Sequence, residues 1–193
     1  VGLVIGTRPD CMSDALLHYL EEVKKHTFLL VEYGIESTND ATLRRINRGH
    51  TYQDTVDAVE RTAGCGILTG GHVILGLPGE RHEDLVAQAS TLSRIPLTTL
   101  KMHQLQLIRG TRMAHEYEQH PEDFHLFGVE EYIDLVIDYI EHLRPDLVLE
   151  RFVSQSPKEL LIAPDWESSP GSHQCHSPEA PLHPDRTGRQ TTA

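Results

Sequence analysis

Apolar and polar positions along this chain fall into blocks of two alternating kinds. Residues 2–6 are a short apolar run ending at Thr7-Arg8-Pro9, which reads as a strand passing into a loop. Ser13 precedes a helical pattern over residues 14–25, with Leu16, Leu17, Leu20 and Val23 on one stripe. Residues 28–33 form a second apolar strand, closed by Gly34. Asn39 opens a short helix through Arg45, and Thr51 caps another over residues 52–63 with Val56, Val59 and Ala63 on one face. A third strand spans 73–75 and ends at Gly76-Leu77-Pro78-Gly79. A helix follows over 83–92, then a fourth strand over about 99–105. The clearest helix spans 129–143, where Val129, Tyr132, Ile133, Val136, Ile137, Ile140 and Leu143 keep the 3.6-residue period. Residues 147–149 give a fifth strand.

Apolar strands alternating with amphipathic helices specify an α/β fold with a parallel sheet covered by helices. Five such units are too few to close an eight-stranded barrel, so the expectation is a partial TIM-type barrel or an open α/β sheet. Residues 167–193 hold four prolines, one leucine and no aromatic residue. Such a segment cannot bury enough apolar area to offset its ordering entropy, and a disordered tail is expected there. Its His173, Cys175 and His176 are too few and too crowded for a zinc site.

Polar residues recur where the strands end. Thr7, Arg8 and Asp10 follow the first, Glu36 and Ser37 the second, and Gly76 to Glu80 the third. His103 and Gln104 fall at the end of the fourth, Arg151 and Gln155 after the fifth. In parallel α/β folds ligands gather at the carboxyl ends of strands, so one rim is the expected site. Taken singly the elements say less. Gly-Leu-Pro-Gly-Glu is a turn without a phosphate-loop lysine, and His72 between Gly71 and Val73 reads as a hydrogen-bonded structural histidine. Glu32, inside an apolar strand, faces either solvent or a barrel interior.

Charge and cysteine content narrow the partners. Seventeen Lys and Arg against twenty-nine Asp and Glu leave a formal net charge of −12, which argues against tight nucleic-acid binding. No apolar run is long enough to cross a membrane. Cys11, Cys65 and Cys175 are far apart and form no Cys-x-x-Cys pair, so a reducing cytoplasmic setting is expected.

Four motifs occur in order: Thr7-Arg8-Pro9-Asp10, Glu32-Tyr-Gly-Ile-Glu36-Ser37, Ile46-Asn-Arg48-Gly49-His50-Thr51, and Val73-Ile-Leu-Gly76-Leu-Pro78-Gly79-Glu80. Over residues 1–166 this arrangement resembles the radical S-adenosylmethionine (SAM) superfamily. The nearest likeness is to a bacterial YhcC-like subgroup related to the radical-SAM domain of the Elongator catalytic subunit. Leu161-Ile-Ala-Pro164-x-Trp166 also resembles that subgroup.

The resemblance implies a partial (β/α)6 barrel with SAM and a [4Fe–4S] cluster as cofactors, the cluster generating a 5′-deoxyadenosyl radical. The cluster's Cys-x3-Cys-x2-Cys motif is missing here. The expectation is therefore a fragment of a radical SAM enzyme, starting near the family's third strand, inactive alone and binding SAM weakly. Glu36 matches the residue that hydrogen-bonds the ribose hydroxyls, and Arg48 the arginine that pairs with the methionyl carboxylate. The segment containing Ile74, Gly76 and Pro78 matches the part that packs on adenine. His72 occupies a position where a small or acidic residue is usual, and His103 lies on the strand whose backbone meets the adenine edge. Arg8 and Asp10 are the substrate-side candidates. The Elongator likeness makes tRNA a partner by resemblance only, and the substrate is otherwise open. The alternatives are a non-catalytic half-barrel binding a nucleotide-like ligand or partner protein, and an unrelated barrel hydrolase or aldolase.

Overall fold

The computed structural model describes residues 1–166; the expected tail, with His173, Cys175 and His176, lies outside the described residues. Strands β1 (Gly2–Thr7), β2 (Phe28–Glu36), β3 (Leu68–Leu75), β4 (Thr99–Gln104) and β6 (Val148–Arg151) form one sheet in the order β1-β2-β3-β4-β6. Every pairing in it is parallel. Because each strand is added beside its predecessor, the crossovers wind in one direction. Right-handed crossovers wound one way place the helices on one face and leave the other face free. That is the winding of a (β/α) barrel, here as a five-strand segment.

Crossovers are carried by α1 (Asp14–Lys24), α3 (Tyr52–Gly64), α4 (His82–Leu92) and α6 (Val129–Glu141), with a short α2 (Asp40–Arg45) ahead of α3. The expected caps are present. Ser13 accepts from Leu16 N, Asn39 from Ala41 N, and Thr51 forms a reciprocal capping box with Asp54. Leu29, Val31, Tyr33 and Ile35 of β2, Val73 and Leu75 of β3, and Leu100 and Met102 of β4 project to the helix side. There they pack with Leu17, Leu20, Val59, Leu85, Leu92, Leu135 and Tyr139. Two buried hydroxyls are satisfied within this layer, Tyr33 against Thr62 at 2.6 Å and Tyr139 donating to Gln88 at 2.9 Å.

Several boundaries differ from the sequence expectation. β2 does not stop at Gly34 but runs on to Glu36, and β3 begins at Leu68, five residues before the apolar run at 73–75. The fifth parallel strand runs to Arg151, past the expected end at 149. Glycine masks a strand because it contributes no side chain to the alternation. Here Gly34, Gly70 and Gly71 are strand residues whose role is to leave room. Helix α5 (Arg112–Gln119) and the antiparallel pair β5 (Leu107–Ile108) and β7 (Leu161–Ala163) were not expected. β5 and β7 close a second apolar cluster around Leu77, Leu105, Leu107 and Phe124. The Trp166 indole N–H donates to Phe127 O at 2.9 Å, which anchors the segment after β7. Among the described residues no helix is long and apolar enough to cross a membrane.

Candidate functional site

The free face of the sheet is polar. Strand alternation sends Glu32, Gly34 and Glu36 of β2, Gly70, His72 and Ile74 of β3, and Thr99, Lys101 and His103 of β4 to the side opposite the helices. The sequence left Glu32 between solvent and a barrel interior; it lies on this inner face.

At the carboxyl end of β2 the backbone breaks pattern. Glu36 has φ 62, in the left-handed region, and Ser37 N donates to Ile35 O at 2.8 Å across it. The β2–β3 register shifts at the same place. A non-glycine residue held at positive φ costs about 1 kcal/mol or more and persists where neighbours over-determine it. Here Arg48 and His72 hold the Glu36 carboxylate. Arg48 Nη2 lies 2.9 Å from Oε1, and His72 Nδ1 lies 3.2 Å from Oε2. Arg48 Nη2 also donates to Gly34 O at 3.1 Å. The arginine is delivered by the turn that ends α2, where Asn47 (φ 56) and Gly49 (φ 83) flank it and Arg48 N donates to Leu43 O at 2.9 Å. A Cβ at residue 34 would overlap the guanidinium and sit 2.8 Å from Glu36 Oε1, so the pair requires glycine there.

His103 extends the group, its ring edge-on to His72 with centroids 4.1 Å apart and planes at 78°. Burial, reinforced by His72 and Arg151 nearby, pushes the His103 imidazole down to about 4, so it is neutral at pH 7. Arg48 Nε, His72 Nε2 and His103 Nε2 are buried without a hydrogen-bond partner, and Glu36 Oε2 has only its ion-pair contact with His72. Buried polar atoms are ordinarily satisfied, and such a cluster marks a place for a polar ligand.

Deeper along the inner face, Lys101 bonds Glu32 and lies 3.5 Å from Glu150, bridging β2, β4 and β6. Glu32 reaches Lys101 over Gly70, where a Cβ would stand 3.0 Å from Glu32 Cγ and 2.8 Å from Thr99 Oγ1. Neither this ion-pair bridge nor the Gly34 notch was read from the sequence. Combining the parity of positions 32, 34 and 36 with 70 and 72 and with 99, 101 and 103 would have exposed both.

The turn after β3 braces the rim. Gly76 (φ 92) and Gly79 (φ 90) take the left-handed conformation, Leu77 and Pro78 are buried, and Glu80 N donates to Leu77 O at 3.1 Å. A Cβ at Gly76 would meet the Phe127 ring at 2.9 Å. Ser37 donates to the buried Glu80 carboxylate and so ties the β2 end to the β3 end. Burial pushes the Glu80 carboxyl up, partly offset by the Ser37 and Thr42 hydroxyls. Ile74 stands level with His103 and packs against the second apolar cluster.

Arg8 and Asp10 stand on the same rim but pair with each other, Arg8 Nε donating to Asp10 Oδ1 at 2.9 Å. The Arg8 guanidinium holds the Asp10 carboxyl below the usual carboxylate range. Arg8 lies beside Gly49, and neither residue bonds to the Glu36 group. Gln104 and Arg151 also lie at strand ends, Gln104 turned toward the loop after β6.

The donor set suits one expected cofactor and not the other. An acceptor at Glu36, an arginine with a spare N–H and the neutral His103 imidazole match a ligand with hydroxyls and a carboxylate, as SAM has. An iron–sulfur cluster has no place among the described residues. Cys11 is exposed in the turn after β1, whereas Cys65 caps α3 ahead of β3, at the opposite end of the strands. No group of three His, Cys, Asp or Glu among the described residues could hold a metal ion.

Comparison with known proteins gives the family and the fold class. The Radical SAM superfamily model matches residues 2–90, and the Radical_SAM C-terminal domain model matches residues 97–175. The YtqA protein of Bacillus subtilis is 34% identical over 166 residues, covering 86% of this chain and 51% of that protein. The YhcC protein of Escherichia coli K12 is 31% identical over 169 residues, covering 86% of this chain and 53% of that protein. The chain thus spans about half the length of these relatives. In fold it is similar to the archaeal Elp3 of Methanocaldococcus infernus, with a TM-score of 0.74 and 22% identity over 84% of this chain and 38% of that one. Two adjoining family models across most of its length, these relatives and this shared barrel-type fold together place the chain in the radical SAM superfamily.

Proposed function

We propose that this rim is the SAM-cradling half of a radical SAM active site. The observation that carries the reading is the cluster of buried polar atoms with unused hydrogen-bonding capacity on Glu36, Arg48, His72 and His103 at the strand ends of a radical SAM chain. Glu36 Oε2 accepts the ribose hydroxyls, and a buried carboxylate is the acceptor those donors need. Arg48 turns its unused Nε to the methionyl carboxylate, a charge-assisted hydrogen bond. Ile74, Gly76 and Pro78 form the apolar floor for adenine, and His103, neutral at pH 7, donates or accepts at its edge. Bound SAM supplies the carbon–sulfur bond whose reductive cleavage at an iron–sulfur cluster starts radical chemistry. The ligands of that cluster belong to the enzyme outside the described residues. The net charge of −12 favours a small molecule over a polynucleotide as substrate.

Ligand-observed NMR with S-adenosylhomocysteine tests the reading, because saturation transfer detects the weak binding expected without a cluster. Transfer to the ribose and adenine protons is expected for the unsubstituted chain. It should fall sharply in Glu36→Gln and in Arg48→Met variants that keep their circular dichroism. Transfer unchanged in both folded variants would place the ligand elsewhere and defeat the proposal.

A further inference from the structure

The last strand of the sheet breaks its register against β4. Thr99 pairs with Val148 and Leu100 with Leu149, but Lys101 pairs with Arg151, which leaves Glu150 as an extra residue. A bulge of this kind re-aims a side chain. Simple alternation from Val148 would send Glu150 to the inner face and Arg151 to the helix side. Residues paired across strands share a face, and Lys101 belongs to the inner one, so the bulge brings Arg151 there too. Glu150 also faces inward, 3.5 Å from Lys101.

The cations of this face differ in what answers them. Lys101 bonds Glu32 and lies beside Glu150, and Arg48 pairs with Glu36. Among the described residues no hydrogen bond or ion pair engages the Arg151 side chain, and the residue is exposed at the free edge of the sheet. Asp and Glu outnumber Lys and Arg by 29 to 17, so an arginine without an ion-pair partner stands out in this chain. Its charge nevertheless reaches the cradle: after burial and His72, Arg151 is the next cause that lowers the His103 imidazole. Arg151 is thus an unanswered cation near a neutral ring whose Nε2 is buried without a partner.

A guanidinium is planar and permanently charged, and its paired N–H donors match a carboxylate or a phosphate. Glu36 is on β2 and Arg151 on β6, three strand spacings away, or about 14 Å. That separation leaves room on the inner face for a small molecule with one end at Arg151 and the other at the cradle. We propose that Arg151 anchors the oxyanion, carboxylate or phosphate, of such a molecule. Naming that molecule the substrate rests on the SAM reading; the oxyanion site does not.

Nitrogen-15 NMR of the histidine rings and arginine side chains tests this. Sodium phosphate and sodium acetate are the probes, and sodium chloride at matched ionic strength is the reference. Phosphate is expected to shift the Arg151 Nε and His103 ring resonances saturably at pH 7, because an anion on Arg151 changes the field at His103. Arg151→Met should weaken phosphate binding, read at His103, by about tenfold or more. Glu150→Gln removes the adjacent carboxylate and should tighten phosphate about twofold, a gain that damage to the fold would not produce. The tighter of the phosphate and acetate titrations identifies the oxyanion. Saturation transfer to S-adenosylhomocysteine reads Glu36 and Arg48 instead. Phosphate bound at Arg151 alongside a failed transfer therefore upholds the oxyanion site and removes only the SAM reading. Shifts that never saturate or that chloride reproduces, or an affinity unchanged in a folded Arg151→Met variant, would overturn the proposal.

Discussion

Replacing Gly34 with alanine tests whether the inner-face notch exists to admit Arg48. The new Cβ would overlap Arg48 Nη2 and stand 2.8 Å from Glu36 Oε1, so the guanidinium has to retreat. It then gives up its bond to Gly34 O and its pairing with Glu36. A hydrogen bond involving a charged group contributes about 1.5–3 kcal/mol. The Glu36 side chain is only 9% exposed, so losing its cation adds a desolvation cost. Against this, exchanging glycine for alanine restricts the unfolded chain and stabilises by about 0.4–1 kcal/mol. The net expectation is a loss of about 2 kcal/mol, or about 4–8 °C in melting temperature for a domain of this size.

Urea unfolding followed by circular dichroism measures the loss, and a double-mutant cycle assigns it. With Arg48→Ala as background the guanidinium is gone, and Gly34→Ala should then be neutral or slightly stabilising. A coupling energy above about 1 kcal/mol is expected between sites that share an atom-level clash. If Gly34→Ala costs the same in both backgrounds, the notch serves the strand backbone and the reasoning fails.

Three further outcomes are expected. Lys101→Met leaves Glu32 and Glu150 facing each other across the inner face and should lower stability by about 1 kcal/mol. Adding Glu32→Gln should recover part of that loss in the same urea assay. His103 has a folded-state value of about 4, below its unfolded value of 6.5. Between those limits the unfolded chain binds more protons, so this contribution is complete above pH 6.5 and declines as pH falls toward 4. His103→Gln should flatten the pH dependence by about 1–2 kcal/mol after allowance for solvent screening, and the His103 ring resonances should still report a neutral imidazole at pH 5.5. Thr51→Ala removes one half of the capping box and should cost about 1 kcal/mol in thermal unfolding, with Thr51→Ser restoring most of it.

The alternation of strands and helices was readable from the chain because it rests on local signals. Side-chain period and capping residues act within a few positions of themselves, and Ser13, Asn39 and Thr51 start their helices as their chemistry requires. Glu36, Arg48 and the turn after β3 could be singled out because parallel strands collect polar ends at one rim. What they do there depends on neighbours remote in sequence. Arg48 turned inward because Gly34 leaves a gap two residues before Glu36, and Arg8 found Asp10 instead. Gly70, silent as a pattern element, is where Glu32 crosses to Lys101. β5 and β7 are short strands that exist only through pairing across some fifty residues, and Gln104 acquired its partner in the same long-range way. Periodicity acts along the chain and is visible in it. The cradle is made of contacts across strands, which only the assembled sheet brings within bonding distance.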